Sequence, residues 1–270
     1  MGCHLQERPK NVVEAWRQEL KDHGYEPPHI NQWSKMQLQI LSRKWRRILR
    51  HTKINRYDSM RFLEFGCGGG AQLIPLAAKY YGEFVGVDCS EEVLSRARKY
   101  LAQIKGSRQQ IKGRVDLICQ DFLDYKSEYL FDMTAQFGVL EHYLDFDERI
   151  QYLSKMFQLT KVDGFVVSAV PNGKHQLRSI QKKEKLGGYN IPEIDYSDSM
   201  LIEEMKLCGA KKIVILYHDL FGYLKLINNS KIKKIISKIM YLFFQIPIFQ
   251  FFSKSFKRKH AYYLIAIAKK

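Results

Sequence analysis

Apolar residues along this chain follow two rhythms. Between Trp33 and Arg50 they recur at spacings of three, four and one (Trp33, Met36, Ile40, Leu41, Trp45, Ile48, Leu49), with arginines and lysines between them. That pattern predicts a helix with one apolar face and a solvated basic face. Val12 to His23 reads as a second helix, set off by Gly24 and Pro27-Pro28. From Arg61 onward the rhythm changes. Short apolar runs (Phe62–Phe65, Phe84–Val87, Arg114–Cys119, Phe131–Phe137, Gly164–Val170, Lys212–Tyr217 and Tyr262–Ala268) read as strands. Helix-length segments stand between most of them: Ala71–Tyr81, Glu91–Ile104 with Ser90 as N-cap, Asp145–Thr160, and Tyr196–Cys208 ended by Gly209. Strand alternating with helix predicts an α/β protein with a largely parallel sheet.

Two segments break the alternation. Residues 174–196 form a polar loop with Gly187-Gly188, long enough to suggest a functional role. Leu220 to His260 is an insertion before the last strand, rich in Ile and Phe and flanked by Lys231, Lys233, Lys234 and Lys238, then Lys254, Lys257, Arg258 and Lys259. Lys238, Gln245, Pro247 and Gln250 interrupt its apolar run, so a membrane-spanning helix is a poor fit. A helix pair lying in a membrane interface fits better. A helical subdomain packed on the core or on a homodimer partner fits equally well.

Charge sharpens that picture. The 270 residues are 46% hydrophobic and 27% charged, as in an ordinary globular protein, but the net charge is +16. Lys35 to Arg61 holds nine basic residues and one acid, Asp58, and no acid follows Asp219. Two basic zones around a balanced middle suggest an anionic partner: a membrane surface, a nucleic acid or a phosphorylated substrate. The five scattered cysteines form no CxxC pair, which points away from zinc and disulfides and toward a reducing cytoplasm. No secretory signal is expected from the N-terminal residues. Localisation is expected to be cytoplasmic, with peripheral attachment to the inner face of a membrane as an option.

The candidate chemistry sits at the carboxyl ends of the predicted strands. Gly66, Gly68, Gly69 and Gly70 follow the first strand and open a helix, and Asp88 ends the second strand about 20 residues on. Such a turn lets a ligand lie against bare backbone, and such an acid can take a ribose diol. A nucleotide with pyrophosphate and a nucleoside without one both remain. Glu64, just before the glycines, opposes a pyrophosphate at the helix N-terminus and suits a nucleoside carrying a cationic amino acid. The stretch Glu64-Phe65-Gly66-Cys67-Gly68-Gly69-Gly70 resembles motif I of class I S-adenosylmethionine (SAM)-dependent methyltransferases, (Asp/Glu)-x-Gly-x-Gly-x-Gly. Gly138-Val139-Leu140-Glu141-His142-Tyr143-Leu144-Asp145 resembles a segment of the small-molecule members, the group that includes quinone O-methyltransferases.

The resemblance covers about residues 60–218. It implies an α/β, Rossmann-like seven-stranded sheet with the last strand antiparallel. Residues 59–219 and 261–270 would form the core, 1–58 a helical lid, 172–196 a cap on the substrate pocket and 220–260 the insertion. It implies SAM as cofactor, held by Glu64, Gly66, Cys67, Gly68, Gly70, Asp88, Cys89, Asp121, Phe122, Phe137 and Gly138. By the resemblance Phe137 and Gly138 would line the methionine part; an acid and an aromatic after the third strand, Asp121 and Phe122, can accept from the adenine amino group and stack on its ring, and on those residues alone a polar turn is as good a reading. His142 is the best-placed base, though capping or orienting the following helix is at least as good a reading; His175 and Tyr189 are weaker candidates for the base. No metal-ligand spacing is visible. The strand-four end lacks (Asn/Asp)-Pro-Pro-(Tyr/Phe), against adenine-N6 or glutamine-N5 transfer, and no Pro-Cys motif marks a cytosine-C5 enzyme. The expected activity is methyl transfer to an oxygen, or to nitrogen or carbon, of a small or lipid-like acceptor. An RNA-directed enzyme and a non-catalytic SAM-binding protein stay open; without an appended RNA-binding domain, nucleic acid is the weaker partner.

Overall fold

The computed structural model describes residues 35–52, 54, 59–106, 111–183, 191–222, 239–240 and 252–270. The predicted helix Val12–His23, Gly187-Gly188, Tyr189 and most of the 220–260 insertion lie outside those residues. Seven strands share one sheet: β1 (Met60–Phe65), β2 (Gly82–Asp88), β3 (Gly113–Cys119), β4 (Phe131–Phe137), β5 (Thr160–Pro171), β6 (Lys212–Leu220) and β7 (Ala261–Lys269). Their order is β3-β2-β1-β4-β5-β7-β6. The first five run parallel, and β7 pairs antiparallel with both β5 and β6. The order reverses between β1 and β4, which opens a crevice beyond their carboxyl ends.

The helices are α1 (Lys35–Leu49), α2 (Leu73–Ala77), α3 (Glu91–Gly106), α4 (Phe146–Leu159), α5 (Arg178–Lys183), α6 (Asp198–Leu207) and α7 (Lys254–His260). Alternation along β1 sorts the core. Leu63 and Phe65 join α4 and α6 on one face, while Met60 and Phe62 join α1 and α2 on the other. Asp145 caps α4 by accepting from the N–H groups of Asp147 and Glu148, and Ser197 caps α6 by accepting from Met200 N–H. No helix among the described residues is long and apolar enough to cross a membrane.

Three expectations need correction. The helix predicted over Ala71–Tyr81 spans only Leu73–Ala77. Ala71 and Gln72 still belong to the glycine turn, and the chain must bend after Ala78 to enter β2 through Gly82 (φ 128°). A Cβ on Gly82 would stand 2.0 Å from the Met60 carbonyl oxygen, so only glycine fits this crossing. The fifth strand starts at Thr160, not Gly164, because Asp163 adopts φ 62° and a register shift against β4 lets pairing resume. The basic face of α1 is not wholly solvated either. Lys44 is buried beneath the glycine turn, and the Arg47 guanidinium donates to the Tyr217 carbonyl at 3.1 Å. Trp45 anchors the helix by edge contacts with Phe62 and Phe137, both at 5.5 Å.

Candidate functional site

The glycine turn is locked to the end of β2. Gly66 N–H and Cys67 N–H both donate to the Val87 carbonyl, at 2.8 and 3.2 Å. One carboxylate oxygen of Asp88 accepts from Gly68 N–H at 2.9 Å and the other from Ser90 N–H at 3.0 Å. Gly66, Gly68 and Gly70 have φ of 62°, 52° and 74°, a region that side chains with a Cβ rarely adopt. A Cβ on Gly66 would come within 2.4 Å of Val139 beyond β4, so the turn closes against the neighbouring strand end. Burial raises the Asp88 carboxyl above its usual range, opposed by the N–H donors.

Glu64 lies directly below this turn. By parity it points to the face shared with α1 and α2, and it is 2% exposed. One of its carboxyl oxygens finds no hydrogen-bond partner among the described residues. Burial pushes its pKa up to about 8, with Lys44 and the Leu73 backbone pulling the other way. Lys44 hydrogen-bonds Gln72 Oε1 and stands 4.2 Å from the Phe137 ring centre, so a cation of α1 reaches the glycine turn.

The end of β4 forms the other wall. Gly138 (φ 78°) donates to the Ala169 carbonyl at 2.9 Å. Gln136, fully buried, accepts from Val139 N–H at 3.0 Å and donates to Ser168 Oγ at 2.5 Å, fixing the turn that follows. Leu140–His142 is a short 3₁₀ turn. Glu141 in it is 2% exposed, has one oxygen without a partner among the described residues, and is pushed up to about 8 by burial. His142 Nδ1 lies 3.1 Å from the Pro192 carbonyl, and burial lowers its pKa. A carbonyl only accepts, so Nδ1 carries the proton and Nε2 the lone pair in the neutral ring.

The segment expected to form the cap, within 172–196, meets this wall through contacts distant in sequence. Asn172 pairs with Tyr196 in an isolated bridge, and its side chain donates to the Ala261 carbonyl at 2.9 Å. Ile194 N–H donates to the Glu141 carbonyl at 2.9 Å. Buried Arg178 pairs with Glu193 at 2.7 Å and Asp195 at 2.9 Å. Beneath the cap, Arg149 pairs with Glu204 at 2.8 Å and donates to the carbonyls of Tyr143 and Leu144, while Tyr196 donates to Glu204 at 2.7 Å.

Gly66, Cys67, Gly68 and Gly70 thus form one turn, with Glu64 just before it in β1 and Asp88 and Cys89 at the end of β2 to which it is bonded; Phe137 ends β4 with its ring against Trp45 and Lys44, and Gly138 follows it. Cys67 is buried with its thiol pushed up by desolvation, and Gly86 leaves its sulfur room, since a Cβ there would lie 2.8 Å away. Asp121 Oδ1 accepts from Leu123 N–H at 2.8 Å, as in an Asx turn. Phe122 packs on Tyr152 at 4.0 Å and Phe65 at 5.6 Å, at the margin of the core. His142 does not cap α4, a place Asp145 takes; it ties the β4 end to the cap. His175 is buried with its pKa lowered to about 4, chiefly by burial and next by neighbouring His260. Sequence reasoning missed Gln136, Glu193 and Arg178, and gave Glu141 no role. It showed no ligand spacing, yet the fold brings ligand atoms of Glu141, His142 and Glu193 within 4.8 Å of one another. Only Glu141-His142 adjacency hinted at this, since Glu193 arrives from 51 positions away.

Strand order, the antiparallel β7 and a glycine turn answered by an acid define the Rossmann-like sheet of class I SAM-dependent methyltransferases. Residues 62–164 match the family model described as a methyltransferase domain. No curated protein matches the sequence. Similar solved structures include magnesium protoporphyrin IX methyltransferase from Synechocystis with bound S-adenosylhomocysteine (15% identity, 97% of this chain and 94% of that one, TM-score 0.53). A SAM-dependent methyltransferase from Archaeoglobus fulgidus (16% identity, 94% and 99%, TM-score 0.56) is another. A third is the N-methyltransferase NodS from Bradyrhizobium japonicum with S-adenosylhomocysteine (13% identity, 96% and 98%, TM-score 0.56). At such identities the likeness is one of fold.

Proposed function

We propose that this protein transfers a methyl group from SAM to a small or lipid-like acceptor. The observation that carries this reading is Glu64: a buried carboxyl oxygen without a partner, at the foot of a glycine turn pinned by Asp88. Once ionised by an approaching cation, such a carboxyl holds the ammonium of an amino-acid moiety and repels a pyrophosphate. When bound, SAM supplies a methyl group on a sulfonium, a reaction with a good leaving group for which alignment supplies much of the rate. Glu64 would hold the ammonium and Asp88 the ribose diol, each Asp88 oxygen keeping a lone pair beyond its backbone bond. Asp121 and Phe122 would border the adenine, and Gly138 with Phe137 the methionine part. His142, neutral near pH 7, keeps a lone pair on Nε2 for the acceptor side of the crevice.

A lipid-like acceptor is supported by the surface around the cap. Leu177 and Ile180 beside α5 are exposed, as are Phe252 and the basic residues Lys254 and Lys259 at α7. An anionic membrane surface suits those charges. Calorimetric titration tests the cofactor reading: SAM and S-adenosylhomocysteine should bind and NAD should not. Binding of NAD with equal or higher affinity overturns it. Pelleting with anionic vesicles tests the surface, and recovery equal to that with neutral vesicles sinks it.

A further inference from the structure

We propose that Glu141, His142 and Glu193 form a binding site for one divalent first-row transition ion, between the end of β4 and the cap. Their ligand atoms lie within 4.8 Å of one another, so small side-chain rotations bring all three onto a single ion. Two carboxylates and an imidazole are the donor set that ions of the manganese-to-zinc series accept. A second, independent observation points the same way. Glu141 is 2% exposed, and one of its oxygens has no hydrogen-bond partner among the described residues. Buried carboxyl oxygens are almost always satisfied, and this one belongs to a carboxyl group of the triad.

The surroundings orient all three ligands. The Pro192 carbonyl takes the Nδ1 proton of His142, which leaves Nε2 in the form that binds metal. Arg178, itself fixed by Asp195, holds Glu193 at 2.7 Å, and Lys182 donates to the Glu193 carbonyl at 3.0 Å. The Ile194 N–H bond to the Glu141 carbonyl sets the cap over the β4 turn, so Glu193 stays beside the other two. Three protein ligands leave positions for an oxygen of water or acceptor. Glu141 Oε1 would stand 3.5 Å from a Cβ on Gly138, so the site adjoins the wall read above as the methionine side. With an ion bound, His142 Nε2 is a ligand and not a base; the ion would instead draw the acceptor oxygen toward its deprotonated form. The position of this site relative to the methyl group rests on the methyltransferase reading, but the site itself does not.

Chelator-treated full-length protein titrated with Mn2+, followed by the loss of the free-ion electron paramagnetic resonance signal, should bind one equivalent. Zn2+ should displace it. Glu193→Gln, a change that keeps the shape of a half-buried side chain, and His142→Gln should each weaken Mn2+ by more than about tenfold. Calorimetry with SAM on the same variants should show unchanged affinity. Wild-type protein that binds SAM but neither ion overturns the site and spares the methyltransferase reading. Mn2+ binding that both variants retain also overturns it. Mn2+ binding lost in the variants, in a protein that does not bind SAM, supports the ion site and defeats the methyltransferase reading.

Discussion

Glu64 lies near the carboxyl end of β1, and Glu141 just past the carboxyl end of the neighbouring β4. Each is 2% exposed, has one oxygen without a described partner, and is pushed up to about 8, chiefly by burial. Their settings differ. Glu64 lies inside one contiguous strand–turn–helix unit, with a cation from α1 nearby and Asp88 beyond the glycines. Glu141 lies where three separated segments meet, with Glu193 raising its pKa further and Arg178 opposing that. The same burial physics thus serves a site written locally in the chain and another assembled by tertiary contacts. On the proposed readings, the first would offer a carboxyl to a cation on the ligand, and the second would offer donors to an ion between β4 and the 172–196 segment.

The largest effects should come from breaking each region at its support. The β4 side hangs on Arg149 and Glu204, a buried ion pair at 2.8 Å that also satisfies the carbonyls of Tyr143 and Leu144. Arg149→Ala leaves Glu204 buried without its charge partner and should cost about 3–5 kcal/mol in denaturant unfolding. A loss below ~1 kcal/mol would mean the pair supports nothing. On the glycine side, Asp88→Ala removes both the lock on Gly68 and the candidate diol acceptor. SAM affinity by calorimetry should fall at least about 100-fold, near 3 kcal/mol. Unchanged affinity would dismiss the cofactor assignment.

Legibility in the sequence divides along the same line. Every residue assigned to the glycine turn was readable, because strand, glycines, helix and acid are local and each leaves a compositional trace. The seven-stranded sheet with its antiparallel last strand was implied by resemblance, and β4 even fell at its predicted bounds. The helix after the turn was read too long because apolar content does not reveal where backbone must bend; Gly82 does, through one contact with Met60. Gln136 was invisible for a different reason. A glutamine in an apolar strand looks like an interruption until Ser168 and Val139 appear beside it. Glu193 and Arg178 looked like ordinary loop charges, since their partners come from elsewhere in the chain. Lys44 was placed on a solvated face because helical periodicity knows nothing of Gln72 and Phe137.

Swapping each buried acid for its amide tests whether the two are alike. For both, the folded form holds its proton up to about pH 8, while an unfolded glutamic acid releases it near 4.5. The folded state therefore binds more protons in that window, and stability falls as pH rises from 4.5 to 8. Glu64→Gln and Glu141→Gln should each flatten this fall, raising ligand-free stability at pH 8 by roughly 2 kcal/mol. Function should separate them. Glu64→Gln should weaken SAM by about tenfold, the loss of one charge-assisted bond, while Glu141→Gln should leave SAM affinity unchanged. Equal losses of SAM in both variants would erase the distinction between the two walls.

The smallest expected effect tests whether α1 reaches into the chemistry of the turn. Lys44 is the one basic side chain among the causes that set the Glu64 pKa, and it lowers it. Lys44→Met keeps the stem over Phe137 and removes the charge and the bond to Gln72. The midpoint of the pH-dependent stability loss should move upward, and SAM affinity at pH 7 should change by less than about tenfold. Repeating the measurement in Glu64→Gln should abolish the midpoint shift, because no carboxyl remains to respond. A shift that persists in the double variant would place the effect of Lys44 elsewhere and leave α1 a packing element held by Trp45.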